Sequence, residues 1–295
     1  LLFQILSRSA EERQAKLSED LAGFPYVNGD IFSEQLRIPV FDRNMRDELL
    51  KACHFNWSEI SPAIFGSLFQ SIKSSAARRE LGSHYTIETN IRRVIGPSFL
   101  DGFEAAFKLA KNDPSRLKAL RSKIGDIQIL DPSCGCGNFL VVSYAALREL
   151  ELDILKRLGE LGDKTVQSSL FFDRDQYSVS LSQIHGIEIE EWPARIAEIA
   201  LFLTEHQANR KAEQLLGQAP HLLPLTKLEG LKIGNALSMD WSEVVNPQSK
   251  LVIVGTPPFV GHQTKTPSQV DDLKRVWGDE YDGYLDYVTG WFKKA

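Results

Sequence analysis

The stretch Ile127-Gln-Ile-Leu-Asp-Pro-Ser-Cys-Gly-Cys-Gly-Asn-Phe-Leu140 decides the fold. A short apolar run of strand type closes on an acidic residue and a proline. A turn with glycines at 135 and 137 follows, and then an apolar run at helical spacing through Tyr144, Leu147 and Leu150. Glycines let a ligand approach bare backbone, and the first turn of a helix has unpaired N–H groups to offer it. The stretch therefore predicts a strand–turn–helix unit with a binding site at its turn.

Outward from this unit the rhythm is strand, helix, strand. Strands are predicted at 127–130, 184–189, 230–233 and 250–254, with helices at 138–157 and 193–216. That alternation predicts a doubly wound, mainly parallel α/β sheet of the Rossmann-like kind with right-handed crossovers. Only four strands can be counted, so the run at 250–254 is expected to expose an unpaired edge. Either further strands or another chain must cover it, which makes self-association through the open edge an expectation.

Upstream the reading is helical. Residues 63–72 place Ile64, Leu68 and Ile72 on one stripe, and Arg78–Thr86 breaks that helix. Another is expected to begin near Glu88, with Ile91, Val94 and Ile95 inward, and to end by Pro97. Residues 103–123 read as one more helix or two short ones, interrupted at Asp113-Pro114. Residues 1 to about 60 mix short helical patterns with turns such as Asn28-Gly29. The chain starts without Met and stops inside a helical pattern, so it reads as a fragment.

The 295 residues, 43% hydrophobic and 25% charged, are ordinary for a soluble globular protein. No apolar run approaches the roughly 20 residues that span a bilayer, and no signal-peptide layout opens the chain. Three cysteines, two within one glycine turn, point to a reducing compartment, and the expected location is cytoplasmic. The net charge of −5 weighs against nucleic acid as a partner without excluding it, because a basic cleft can sit on an acidic protein.

A G-x-G alone is shared by many turns. A dinucleotide site asks for a third glycine and an acid about 20 residues on. Here Phe139 stands at the third position and the next acid at a strand end is Glu188. A compact adenosine ligand without phosphates fits that pattern better than a pyrophosphate. Glu188 can accept both ribose hydroxyls and Ile189 can offer an apolar face to a purine. Glu190 and Glu191 suit the helix dipole instead. Asn235 has two readings, a contact to the purine's amino edge or a turn residue.

Leu251-Val-Ile-Val-Gly-Thr-Pro-Pro-Phe259 is the second informative segment, a rigid corner just past an apolar strand. An exocyclic amine is a poor nucleophile because its lone pair is delocalised into the base. A site that accepts both amine hydrogens draws the nitrogen toward a tetrahedral form. The carbonyl of Pro257 can be one acceptor, the side chain at 256 the other. Phe259 can stack on a flipped base, a contact worth roughly 1–3 kcal/mol.

At this point a resemblance becomes specific. Asp131–Leu140 resembles the first cofactor motif of amino-group DNA methyltransferases, commonly D-P-A-C-G-S-G-N-F-L, and Thr256-Pro-Pro-Phe259 resembles their N-P-P-Y/F motif. Arg79–Thr86 resembles the preceding motif, in the γ order of adenine-N6 enzymes. His185–Arg195 and Phe24–Gly29 resemble more narrowly the MmeI-like single-chain restriction–modification enzymes.

The resemblance implies S-adenosylmethionine as donor and adenine, flipped out of double-stranded DNA, as acceptor. It implies three regions: a helical connector over 1–60, a helical lead-in over 61–125 carrying the methionine-side motif, and the methyltransferase core over 126–295. By the same likeness Tyr85 and Thr86 contact the methionine. Asp131, Pro132, Ser133, Gly135, Gly137, Asn138 and Phe139 hold its amino and carboxylate ends. Glu188 takes the ribose, and Ile189 and Asn235 the adenine. Thr256, Pro257, Pro258 and Phe259 handle the target base. A nuclease domain before this region and a target-recognition domain after it belong to the same picture.

One departure matters. The motif asks for Asn or Asp at 256, and Thr stands there. A hydroxyl is shorter than an amide and must satisfy its own proton. Losing one oriented transition-state hydrogen bond costs roughly 10²–10³-fold in rate. Two rivals follow: methylation of a protein glutamine amide, and a non-catalytic scaffold that binds cofactor or DNA without turnover. Cys134 and Cys136 lack partners at zinc-site spacing, so no metal site is expected. The Leu/Ile stripe at 196–203 and Trp57, Trp192 and Trp241 are read as packing residues.

Overall fold

The structure, a computed structural model, describes residues 42–56, 60–64, 66, 86–163, 177–216 and 228–295, with a few isolated positions before 41. It forms two compact units, Leu1–Ser61 with Leu222–Lys227, and Pro62–His221 with Leu228–Ala295. In the first unit α1 (Arg43–His54) is capped by Asp42, whose side chain accepts from Met45 N at 2.7 Å. The expected stripe of 63–72 lies almost wholly outside the described residues, as do Trp57 and all but Thr86 of the Arg78–Thr86 motif.

The second unit begins, among the described helices, with α2 (Glu88–Ile95). The chain does not stop at Pro97. It widens into a π-helical turn over Gly96–Leu100 and runs on as α3 (Asp101–Ala110). A π turn moves the hydrogen bonds one residue along, and this absorbs the proline that should have ended the helix. Ile91 and Ile95 are fully buried as expected, but Val94 is 43% exposed. The break at Asp113-Pro114 is real. Asp113 accepts from Ser115 N and Arg116 N, and Pro114 opens α4 (Pro114–Gly125) at the position where a missing N–H does no harm.

Four strands follow in the expected places: β1 (Ile127–Asp131), β2 (Ile184–Glu188), β3 (Leu231–Ile233) and β4 (Lys250–Ile253). They pair in the order β3-β2-β1-β4, all parallel. The long helices α5 (Asn138–Glu160) and α6 (Glu191–Leu216) make the first two crossovers. From β1 the chain moves outward through β2 to β3, then returns to the far side of β1 as β4. In such a sheet the reversal point, here between β1 and β4, is where ligands bind at the carboxyl ends of the strands.

The sheet is closed on one side by α7 (Pro267–Trp277) and α8 (Thr289–Lys294), which join Leu130, Ile187, Leu237, Trp241, Leu273, Tyr287 and Trp291 in one core cluster. Trp241 packs as expected, its Nε1 donating to Ala236 O at 2.8 Å, whereas Trp192 is 68% exposed. The stripe at 196–203 is also corrected. Ala197, Ala200 and Leu201 are buried, while Ile199 and Leu203 turn partly to solvent. α6 packs on α5.

A buried ionic network, unanticipated from sequence, sets the entry to β2. Arg148 on α5 donates to Glu151 Oε2 at 2.9 Å and to Asn209 Oδ1 on α6 at 2.9 Å, with its guanidinium 3.8 Å from the centre of the Tyr177 ring. Glu151 also accepts from Arg121 Nε at 3.0 Å and from the backbone N–H groups of Ser178 and Val179. Among the described residues no helix is long and apolar enough to cross a membrane.

Candidate active site

The site is built where β1 ends. Asp131 is 2% exposed and its Oδ1 accepts from Ser133 N at 3.0 Å, which tightens the first turn. Burial pushes its carboxyl up to about 7. The Ser133 N–H opposes that shift, and the nearby charge of Glu188 adds to it.

The glycine turn then needs two left-handed residues, Gly135 at φ +54° and Gly137 at φ +80°. Gly137 is needed twice over, because a Cβ there would come within 2.8 Å of Ala197 Cβ on α6. The helical ladder of α5 starts with Val141 N to Gly137 O. The N–H groups of Asn138, Phe139 and Leu140 therefore have no partner within the helix. Phe139 is buried. Ser133 Oγ and Asn138 Oδ1 are buried without a hydrogen-bond partner among the described residues. Cys134 is buried and its thiol is pushed up by that burial, so it packs as an inert residue. No cluster of three metal-ligating side chains occurs among the described residues.

The end of β2 closes the turn from the side. Glu188 Oε2 accepts from Gly135 N at 2.9 Å and Oε1 from Glu190 N at 3.0 Å. The sequence reading gave Glu188 a ligand role. The structure shows that it also holds the glycine turn. Each carboxylate oxygen can accept a second bond. Beside it Ile189 is 58% exposed. Thr86 is half-buried, and Tyr85 lies outside the described residues.

At the end of β3, Gly234 N donates to Glu188 O at 2.8 Å, which joins the tips of β2 and β3. Asn235 is committed on both sides: Nδ2 donates to Asp272 Oδ2 at 2.8 Å, and Oδ1 accepts from Leu237 N at 2.9 Å. A flipped amide would set its oxygen against the carboxylate, so the orientation is fixed.

The end of β4 brings in the second motif. Leu130 pairs with Ile253, and Val254 N donates to Leu130 O at 2.9 Å. Gly255, at φ +150°, then lies against Asp131. Thr256 is exposed, Pro257 and Pro258 are half-buried, and Phe259 is 68% exposed. The glycine turn and the Pro-Pro-Phe corner thus leave neighbouring strands one residue apart. A groove of about 670 Å³ between α3 and α4, lined by Phe99, Phe103 and Leu109 among others, takes in none of these residues.

Pro132 is held from outside: its carbonyl accepts from Trp291 Nε1 at 3.0 Å. Trp291, Asp272 and Tyr287 were passed over in the sequence. Trp291 lies 159 residues from Pro132 and Asp272 37 from Asn235, and no local spacing marks these residues.

The profile of the MmeI DNA-methyltransferase domain matches residues 107–295. The chain belongs to this family. Across the whole of this MmeI-type chain, DNA methyltransferase A of Bacillus subtilis (strain 168) is 36% identical over 296 residues, covering 99% of the chain and 32% of the relative. A putative type II restriction enzyme and methyltransferase of Methanocaldococcus jannaschii is 24% identical over 266 residues, covering 73% and 22% respectively. The solved structure of the type IIL restriction-modification enzyme MmeI in complex with DNA matches with a TM-score of 0.88 at 43% identity, over 99% of this chain and 39% of that one. The MmeI-type chain therefore spans about a third or less of the curated relatives it matches. The family and the doubly wound α/β fold are those the motifs led us to expect.

Proposed function

We propose that this chain carries the cofactor pocket and the target-base corner of an S-adenosylmethionine-dependent DNA methyltransferase acting on the N6 amine of adenine, within a restriction–modification protein. The observation that carries the reading is the contact of Gly255 with Asp131, which sets both motifs at one sheet edge.

The residues at the turn suit such a cofactor. Buried Asp131 is an acceptor for an ammonium group, and the first-turn N–H groups of α5 with Ser133 Oγ and Asn138 are donors and acceptors for a carboxylate and its surroundings. Glu188 supplies carboxylate oxygens for ribose hydroxyls, and exposed Ile189 an apolar face for a purine. Bound there, S-adenosylmethionine supplies an electrophilic methyl group on sulfur. The chain's own part in the chemistry lies at the corner. The Pro257 carbonyl accepts one hydrogen of the target amine, the Thr256 hydroxyl stands where the second acceptor belongs, and Phe259 stacks on the flipped base.

Thr256 favours a second reading, a scaffold that binds cofactor or DNA without turnover. Both readings are tested by titrating the full chain calorimetrically with S-adenosylmethionine and with NAD, and by following labelled methyl transfer into DNA or into a protein acceptor. The methyltransferase reading expects binding of the first ligand alone and transfer into DNA, raised roughly 10²–10³-fold by Thr256→Asn. Binding without transfer by either form selects the scaffold. Preference for NAD sinks both.

A further inference from the structure

Two consecutive residues, Asp286 and Tyr287, send their side chains to different halves of the site. Asp286 Oδ2 accepts from Gly261 N at 2.8 Å, and Oδ1 is steadied by Val288 N at 3.1 Å. Gly261, at φ +78°, lies two residues past Phe259, so this bond fixes where the corner's loop turns back. Lys265 closes the same loop from its other end, Nζ donating to the carbonyls of Gly283 and Leu285.

Tyr287 faces the other way. It is 6% exposed, and its hydroxyl donates to Asp272 Oδ2 at 2.9 Å. The same oxygen receives Asn235 Nδ2, while Asp272 Oδ1 receives Arg275 Nη1 at 2.8 Å. Without the tyrosine hydroxyl Asp272 loses one of the three donors that orient it, and Asn235 rests on that carboxylate. The Tyr287 ring also meets Trp291 edge-on at 5.1 Å, and Trp291 holds Pro132 O at the end of β1. One short segment after α7 thereby reaches the tips of β1 and β3 and the loop beyond β4.

We propose that Asp286 and Tyr287 are positioning residues with separate charges: Asp286 holds the Pro-Pro-Phe corner in place, and Tyr287, through Asp272, holds the Asn235 side of the cofactor pocket. The assignment rests on the methyltransferase reading above. The two routes share no hydrogen-bonding atom, so they should be separable by substitution.

The test uses the full chain, S-adenosylmethionine calorimetry and peptide-level hydrogen exchange. Tyr287→Phe is expected to weaken S-adenosylmethionine binding roughly threefold to tenfold, the loss of one net hydrogen bond. It speeds exchange over 234–239, where Leu237 N is held by Asn235, and leaves 256–266 unchanged. Asp286→Ala is expected to leave S-adenosylmethionine affinity within about twofold, since that route does not touch the pocket. It speeds exchange over 256–266 and at Val288 while leaving 234–239 unchanged, and Asp286→Asn, which keeps one of the two acceptor oxygens, restores part of the protection. If both variants loosen both segments and lose affinity together, the residues are merely structural and the proposal falls. A wild-type chain that binds no S-adenosylmethionine overturns the methyltransferase reading itself, and this assignment with it.

Discussion

A methyl group added at Gly255 would stand 2.2 Å from Asp131 Oδ1. The carboxylate that closes β1 and the residue that opens the Pro-Pro-Phe corner are therefore packed without room for one further carbon. Gly255→Ala also meets an unfavourable φ of +150°. The variant is expected to lose roughly 1–3 kcal/mol in denaturant unfolding and to weaken S-adenosylmethionine binding. Unchanged stability would mean that the two tips are further apart than described.

Asp131 makes stability depend on pH with a defined sign. Its carboxyl is raised to about 7 in the folded chain, against an ordinary value of 3.8. Between those values the folded state binds the extra proton, so this contribution is complete below about pH 4. It is lost as pH rises through 7. The full swing is roughly 4 kcal/mol at most. Subtracting the curve of Asp131→Asn from that of the wild type should isolate it. A difference that is flat from pH 4 to 8 counts against a buried, protonatable Asp131.

Glu188 holds two backbone amides, and a side chain without oxygens holds neither. Glu188→Ala is expected to destabilise the chain by roughly 1–3 kcal/mol, because Gly135 N and Glu190 N lose their acceptor. Glu188→Gln keeps one acceptor oxygen and should lie between. If the alanine variant is as stable as the wild type but fails to bind S-adenosylmethionine, Glu188 acts on the ligand alone and the tether is unimportant.

Arg148 is a stability residue remote from the corner. Arg148→Met removes the charged partner of Glu151 Oε2, which keeps Val179 N, and the Arg148 bond to Asn209 Oδ1. Breaking a buried pair from one side costs roughly 3–5 kcal/mol; Arg121, still bonded to Glu151, should keep the loss near the lower figure. Thermal unfolding reads it. A shift in midpoint of less than a degree or two would show that the network is not coupled to folding.

The part of the fold legible in the sequence was the part written locally. The 127–140 stretch states its strand, turn and helix within a few residues, and Asp113-Pro114 states a helix start in two. Periodicity tells which residues share a face but not what that face meets. Hence Val94, Ile199 and Leu203, placed inward by their hydrophobicity, are partly exposed, while Ala197, Ala200 and Ala212 of α6 are fully buried. Pro97 misled because a π turn can absorb a proline. Glu188 was singled out as a ligand residue by its place at a strand end, and that place did not disclose its bond to Gly135, which joins residues 53 apart. Trp291 reaches Pro132 across 159 residues and Asp272 reaches Asn235 across 37, between elements whose docking no spacing rule encodes.

The sheet order places the glycine turn on an interior strand and the Pro-Pro-Phe corner on an outer one. On the reading proposed above, the donor pocket thus has paired strands on both flanks. On the same reading, the acceptor corner follows β4, which among the described residues pairs with a strand on one side only. If that reading holds, substitution along β4 is expected to alter which base is welcomed and how it is angled while the donor stays seated.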